Sequence, residues 1–310
     1  MRVVVIGAGL SGLVAARELQ AAGAGVSVVD KGRSPGGRMA TRRIGAATLD
    51  HGAQFFTVRT PAFQRRVDDW VDRGLVRIWS NGFHSDDGNP RYVATAGMNS
   101  LTKDLADGLD VSCSTMAFAV RRETPWTVVI DDGSQRAADA VIITTPLPQA
   151  FALLADAAVE LDESLMHTDY DRTIALLASL DRPPGIEAPG GLQAPSDDVS
   201  FVADNVAKGV SAQPAITLHA SAAWSEANWD LDNDRLLPML VELASPWLGD
   251  AEIVEAHVKK WRFATPRAVW PDPCWVSSDG RIVLAGDAFD GPRVEGAHNS
   301  GLAAAHALTG

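Results

Sequence analysis

Residues 2–6 open the chain with a run dominated by β-branched apolar side chains, the pattern of a parallel strand buried on both faces. Leu10, Leu13, Val14, Arg17 and Leu19 then recur at helical spacing, predicting a helix over Leu10–Ala22 that Gly23 stops. Val26–Asp30 is a second short strand, so the chain begins as a βαβ unit. Farther on, Met98, Leu101, Leu105 and Leu109 predict an amphipathic helix over Gly97–Leu109. Val111–Ser114, Phe118–Arg122 and Trp126–Asp131 alternate like antiparallel strands, with Asp132-Gly133 as a turn. Ala140–Thr144 is again apolar and returns to the parallel sheet. Arg281–Ala285 is a last buried strand, and Gly296–Leu308 a last helix.

The stretch between about 156 and 275 is less periodic and holds six of the nine Trp. It reads as most of a second domain. The expected fold is α/β: a Rossmann-type dinucleotide-binding domain from 1–60, 95–155 and 276–310, and a substrate domain of mixed β-sheet plus helices from 61–94 and 156–275.

Composition narrows the class. At 310 residues there is chain for about two domains. A formal charge of −12 disfavours nucleic acid and anionic lipid, while leaving room for one anionic ligand in a local basic pocket. The 46% hydrophobic fraction supports a sizeable core. Cys113 and Cys274 are too few and too far apart for a disulfide framework or a zinc site, which fits a reduced interior. The longest apolar run, Ala150–Ala155, is far short of a membrane span. Gly7, Gly9 and Gly12 interrupt the N-terminal apolar stretch, so it is read as a strand and not as a secretory leader. These features describe a soluble, cytoplasmic, enzyme-sized protein.

The turn between first strand and first helix is Gly7-Ala8-Gly9-Leu10-Ser11-Gly12. The first Gly permits the tight turn, the second lets a pyrophosphate approach the backbone, and the third lets helix and strand pack closely. With 27 Gly in 310 residues, such a pattern arises by chance about 0.2 times per chain, so its context carries the weight. Here a strand precedes it, a helix follows, and Asp30 ends the second strand. An acidic group at that place accepts from both ribose hydroxyls of an adenosine and repels a 2′-phosphate. More follows than one nucleotide unit needs: Lys31-Gly32-Arg33-Ser34-Pro35-Gly36-Gly37-Arg38-Met39, Asp50-His51-Gly52-Ala53-Gln54-Phe55-Phe56-Thr57, Gly286-Asp287-Ala288-Phe289 and Gly291–Ala297. A strand ending in Gly286-Asp287 puts a carboxylate beside a second sugar-like chain such as ribityl. A helix starting at Gly296 can aim its dipole at a flavin ring.

These motifs resemble the FAD-dependent renalase family, a branch of the amine-oxidase-like flavoproteins. The resemblance runs nearly the whole chain, through GAGLSGL, DKGRSPGGRM, DHGAQFFT, AGMNSL, VIITTPLPQA, HASAAWSEANWD, KKWRFATP and GDAFDGPRVEGAHNSG. It implies non-covalent FAD, misreduced 2- or 6-dihydro-NAD(P) as substrate, NAD(P)⁺ as product, and O₂ reduced to H₂O₂. It places Gly7, Gly9, Leu10, Ser11 and Gly12 at the pyrophosphate and Asp30 at the adenosine ribose, with Lys31 and Gly37 also in the cofactor site. Arg38 would neutralise phosphate charge. Gln54 and Phe55 would sit beside the flavin or its ribityl chain, Gly286 and Asp287 at ribityl, and Glu295 and Gly296 at the pyrimidine end of the ring.

Many amine oxidases carry a lysine near the flavin, but the corresponding strand, Tyr170–Ala175, has none. That weighs against amine oxidation. His298 is either a local polar contact or a substrate-tuning residue, and His51 is read as a structural hydrogen-bonding group. No metal site, Ser-His-Asp pattern or Cys-x-x-Cys is present. A dihydropyridine already holds a transferable hydride, so positioning and exclusion of water suffice. Trp224, Asn228, Trp229, Trp261, Arg262 and Phe263 are candidates for lining that pocket, against core packing for any single Trp. The rival readings are a flavin amine oxidase or desaturase of another small molecule, and a non-catalytic FAD-binding redox sensor.

Overall fold

The computed structural model describes residues 1–310. In chain order it begins β1 (Arg2–Ile6), α1 (Leu10–Ala21) and β2 (Gly25–Val29), followed by the hairpin β3 (Thr41–Ile44) and β4 (Ala47–Asp50). Helix α2 (Pro61–Asp72), the hairpin β5 (Val76–Ser80) and β6 (Arg91–Ala94), and α3 (Asn99–Ala106) come next. Strands β7 (Asp110–Ser112), β8 (Ala117–Arg121), β9 (Trp126–Ile130), β10 (Gln135–Ala138) and β11 (Ala140–Ile143) lead to α4 (Leu147–Leu154) and α5 (Glu163–Met166). Then follow β12 (Tyr170–Leu180), β13 (Gly191–Ser196), β14 (Val199–Asp204), β15 (Ala215–Ala220), α6 (Ala222–Ala227), α7 (Asn233–Leu248) and β16 (Ile253–Pro266). The chain closes with β17 (Trp275–Val276), β18 (Ile282–Leu284) and α8 (Val294–Thr309).

Two sheets organise the molecule. The first is ordered β17-β18-β11-β1-β2-β7, parallel except for β17. Its central strands are the apolar runs of the sequence, and Val3–Ile6 and Ala140–Ile143 are fully buried, as a sheet covered on both faces requires. The second sheet is antiparallel, ordered β13-β14-β15-β12-β16. Period-two alternation splits β12 between two environments. Ile174, Leu176 and Ala178 pack under α7 with Leu236, Leu240 and Ala244. Leu177 on the other face meets Ile44, Ala47 and Leu49 of the β3–β4 hairpin. That second face looks toward the dinucleotide unit and supplies one wall of the site.

Two expectations are corrected. Residues 111–114 do not join the antiparallel strands that follow; β7 pairs in parallel with β2 and extends the first sheet, while β8, β9 and β10 form their own antiparallel sheet. Segment 61–94, assigned to the substrate domain, divides between the two units. Helix α2 buries Phe63, Val67 and Trp70 in the same core as α1 and β1, whereas Trp79 and Val93 of the β5–β6 hairpin pack on Phe201 and Ala203 of β14. The cause is amphipathicity of α2, whose one apolar stripe is claimed by the nearest open core.

Helices α1 and α8 lie close together because Gly301 sits directly over the Ser11 carbonyl, and α1 meets β1 just as closely at Gly12, whose α-carbon faces the Gly7 carbonyl and Thr144 Oγ1. A methyl at position 12 has no space. Gly12→Ala is expected to destabilise the cofactor-free protein by about 1–3 kcal/mol, the usual cost of overpacking, read as a lowered midpoint in thermal or urea unfolding.

Candidate active site

The βα turn is shaped for an anion that the chain itself does not supply. Gly7 has φ +112°, a conformation suited to glycine, and its hydrogen-side face meets Thr144 Oγ1. Gly9 differs: a Cβ there would meet nothing within 4 Å, so open space lies against the backbone. No side chain caps α1, its first turn holds no acidic residue, and Ser11 Oγ is buried without a partner. Free N–H groups, a positive helix end and an unspent hydroxyl around open space fit a pyrophosphate. Leu10 is buried at the first helical position, and Gly37 (φ +53°) closes against the turn so tightly that a Cβ there would lie 3.3 Å from Gly9 Cα. Asp30 accepts from the N–H groups of Ala8 (2.7 Å) and Gly32 (2.6 Å), which fixes its carboxylate at the end of β2 with lone pairs left for hydroxyl donors. Lys31 is exposed and donates to Gln149 Oε1.

Arg38 and Asp287, expected at the phosphate and the ribityl chain, bind each other in the structure. The guanidinium makes a bidentate pair, Nη1 to Oδ2 at 2.7 Å and Nη2 to Oδ1 at 2.6 Å, and Nη1 also reaches the Ala264 carbonyl at 3.3 Å. This fork joins the segment after β2, the end of β18 and the end of β16 at one point. Its positive charge is therefore largely balanced within the chain, and α1 is left as the main source of unspent positive potential at the turn. Nearby Tyr170 is raised to about 12, first by burial, so it stays neutral; its hydroxyl accepts from Leu147 N–H. Gly286 (φ +142°) donates its N–H to Ser300 Oγ.

At the start of α8, Glu295 is buried. Its Oε1 accepts from Arg59 N, Thr60 N and Thr60 Oγ1, pinning the entry to α2, while Oε2 is buried with no partner. A carboxylate oxygen left without a donor fits a ring N–H arriving from a ligand. Gly296 leaves no space for a side chain against the Gly291 carbonyl. His298 does not face this region. It packs 5.0 Å from the Phe63 ring between α2 and α8, contacts Asn299 Oδ1, and is lowered to about 4, chiefly by burial. The contact with Asn299 is its one polar contact.

A buried charge pair, absent from the sequence-based expectations, ties the two units together. Asp50 Oδ1 accepts from Thr41 Oγ1 (2.6 Å) and Met98 N (2.8 Å), and Asp50 Oδ2 lies 2.8 Å from Lys208 Nζ. Both side chains are fully buried. The Lys208–Asp50 contact is an ion pair of poor hydrogen-bond angle; the ammonium donates to Gln54 Oε1 at 3.1 Å. Gln54 Nε2 in turn holds the carbonyls of Asp50 and Gly52. The Gln54 amide, expected beside the flavin or its ribityl chain, is held by hydrogen bonds within the protein. Burial pushes the Lys208 pKa down, and Asp50 opposes that shift. Arg77 donates to the Lys208 carbonyl and anchors the turn that carries it.

The face of the second sheet beside this pair bears His219 and Trp261. Trp261 stacks on His51 (5.4 Å, 22°) and donates from Nε1 to the His51 carbonyl at 2.7 Å. His51 and His219 are both lowered to about 4, first by burial, then by Lys259 and Lys208 respectively, so both rings are neutral near pH 7. Phe263, on the same face as Trp261, packs edge-on to Tyr170, and Phe55 belongs to a cluster with Phe83 and Phe201. Trp224, Asn228 and Trp229 are not brought here. They pack with Lys260 on the helix-covered face, where Lys260 Nζ donates to the carbonyls of Trp229 and Leu231. Strand alternation explains the separation, since residues 260 and 261 point to opposite faces. Arg262 is exposed, over the Phe263 ring.

A surface groove of about 760 Å³ between Arg2, Arg122, Asp139 and Arg281 lies at the amino ends of β1, β11 and β18. Ligands of such sheets bind at the opposite, carboxyl ends, where the Gly7–Gly12 turn, Asp30 and Asp287 lie.

An NAD(P)-binding Rossmann-like domain matches residues 5–73, and the flavin containing amine oxidoreductase family matches residues 73–309. The chain belongs to the flavin-containing amine oxidoreductases. It is an FAD-dependent oxidoreductase of amine-oxidase-like fold, and its features fit a renalase-like flavoprotein. Among curated proteins it is 30% identical to renalase of Mus musculus over 171 residues, 50% of each chain. It is 47% identical to hydroxyneurosporene desaturase of Rubrivivax gelatinosus over 58 residues, 19% of this chain and 11% of that protein. The chain thus spans half or less of the length of these relatives. In fold it is similar to a putrescine oxidase bound to putrescine (TM-score 0.69, 18% identity, covering 99% of this chain and 98% of that one). An oxidoreductase from Methanosarcina mazei is comparably similar (TM-score 0.68, 14% identity, 98% and 99% covered).

Two substitutions test the site. Gly9→Ala is expected to leave cofactor-free stability near wild type, because the methyl enters open space, while the purified protein loses its 450 nm flavin absorbance (approximate for flavins). Lys208→Met leaves a buried carboxylate unpaired and is expected to cost about 3–5 kcal/mol in urea unfolding; adding Asp50→Asn restores part of it.

Proposed function

We propose that the protein oxidises misreduced 2- or 6-dihydro isomers of NAD(P) to NAD(P)⁺ in the cytoplasm, with dioxygen as the electron acceptor. The overall balance is dihydronicotinamide plus O₂ plus one proton giving NAD(P)⁺ plus H₂O₂. Bound FAD would supply the two-electron acceptor that links the two halves of the reaction.

The observation that carries this reading is a stacked aromatic wall whose imidazole and phenol neighbours stay neutral near pH 7. Trp261 is locked by its bond to the His51 carbonyl, so its ring is held without a proton to give or take. His51 and His219 are neutral, and Tyr170 is held far above neutrality. Such walls orient a planar ring and exclude water, which is all that a preformed hydride donor requires. β12 contributes no lysine, and the Lys208 ammonium is sealed behind Gln54 and Asp50. The turn from Gly7 to Gly12, with Asp30, would hold the pyrophosphate and adenosine ribose, and Asp287 and Glu295 Oε2 would meet the ribityl and ring ends. The long resemblance through GGRM, GAQFF and PRVEGA supports the same substrate class.

The test is anaerobic mixing of FAD-loaded protein with 2-dihydro-NAD, 6-dihydro-NAD, ordinary 1,4-NADH and a panel of amines, following the flavin band near 450 nm (approximate for flavins). Fast bleaching by a 2- or 6-dihydro isomer, and slow or none by the others, is expected. Bleaching by amines alone would make it an amine oxidase, and no bleaching by any of them would make it a cofactor-binding protein without this turnover.

A further inference from the structure

The wall beside Trp261 carries positive charge that nothing in the chain neutralises. Lys259 lies two residues before Trp261 on β16, about 6.6 Å along the strand, on the same face, with its ammonium 4.6 Å from the Trp261 ring. Arg42 of β3 approaches from the facing hairpin, and its guanidinium reaches His257 Nδ1 at 3.4 Å. Neither Lys259 nor Arg42 forms an ion pair, although the chain has an excess of twelve acidic charges. The nearby carboxylates are spent: Asp50 on Lys208, and Glu255 on His257 Nε2 at 2.7 Å. Lys259 is half-buried, and its pKa is lowered by that burial and then by Arg42. Two cations drawn together without an anion are unfavourable, and an arriving anion reverses the sign of the interaction.

We propose that Arg42 and Lys259 form the subsite for the diphosphate of a dinucleotide substrate, with Trp261 between that subsite and the reacting ring. The proposal rests on the dihydro-dinucleotide reading, in which one ribose separates the nicotinamide from the diphosphate. Lys259 would act as a point charge from the strand and Arg42 as a planar fork from the hairpin, a combination suited to two adjacent phosphates. The site is separate from the Gly7–Gly12 turn, so it adds a second anion site to the cofactor's own.

The experiment is calorimetric titration of FAD-loaded protein with ADP-ribose, which has the diphosphate but no nicotinamide, and with adenosine, which has neither. ADP-ribose is expected to bind at low salt and adenosine not to. Lys259→Met and Arg42→Gln should each weaken ADP-ribose binding about tenfold or more, as expected for loss of a charged hydrogen bond, with flavin content and melting temperature unchanged. Lys259→Arg should retain most of the affinity. Equal affinity in wild type and both variants, or no binding by wild type, overturns the subsite. Binding that depends on Arg42 and Lys259 upholds it even where no dihydronicotinamide bleaches the flavin, an outcome that would sink only the substrate assignment.

Discussion

The buried ion pair between Asp50 and Lys208 is the contact on which the site's geometry depends. Asp50 sits where four segments meet: its carboxylate takes Thr41 and the start of α3 on one side and Lys208 on the other, and its carbonyl accepts from Gln54 and Thr217. Thr41, Met98 and Gln54 belong to segments around the dinucleotide unit, whereas Lys208 and Thr217 come from the antiparallel sheet. Taking two charges fully out of water is costly, and a well-packed apolar pair in their place is often as stable. What the ion pair adds is register: an uncompensated charge penalises any slide of the sheet across the 50–55 segment. That segment in turn supports His51, and His51 supports Trp261.

Charge is distributed by location. The outer surface accounts for the net −12, while the cofactor end draws its positive potential from the open end of α1, the Arg38 charge being balanced by Asp287. Burial moves the imidazoles of His51 and His219 down from neutrality and the Tyr170 phenol farther above it. On the proposed reading such a site suits planar, already reactive substrates, for which the imidazoles and the phenol need move no proton. Positioning is its contribution.

The dinucleotide half was legible in the sequence because its signals are local. Buried parallel strands make unbroken apolar runs, and the glycines of the turn answer steric demands set by immediate neighbours, as Gly7 and Gly12 do. The second unit was read only as a region. Its strands β12 and β16 face two different cores, so each carries a mixed pattern in place of a clean alternation. The pocket list suffered from the same cause: Trp224, Asn228 and Trp229 are near Trp261 in composition but lie across the sheet from it. Asp50 stood inside a quoted motif without a stated role, and Lys208 had no signal at all, since a lysine in a turn normally points to water. The Lys208 bond to the Gln54 amide and the packing of His298 on Phe63 join positions far apart in the sequence, so no local pattern marks them. The Arg38–Asp287 fork joins residues 249 positions apart, a distance at which no spacing rule operates.

The central claim is that substrate oxidation here needs alignment and no acid–base residue, and the pH dependence of the chemical step tests it most directly. Stopped-flow reduction of the bound flavin by saturating 2- or 6-dihydro-NAD, without oxygen, should proceed at a rate constant that is flat from about pH 5.5 to 9, because the imidazoles of His51 and His219 titrate near 4 and Tyr170 near 12, and Lys259, moved down by burial, acts on substrate binding and not on the saturated rate. A bell-shaped or sigmoidal profile with a midpoint inside that range would place a proton transfer in the step and contradict the account.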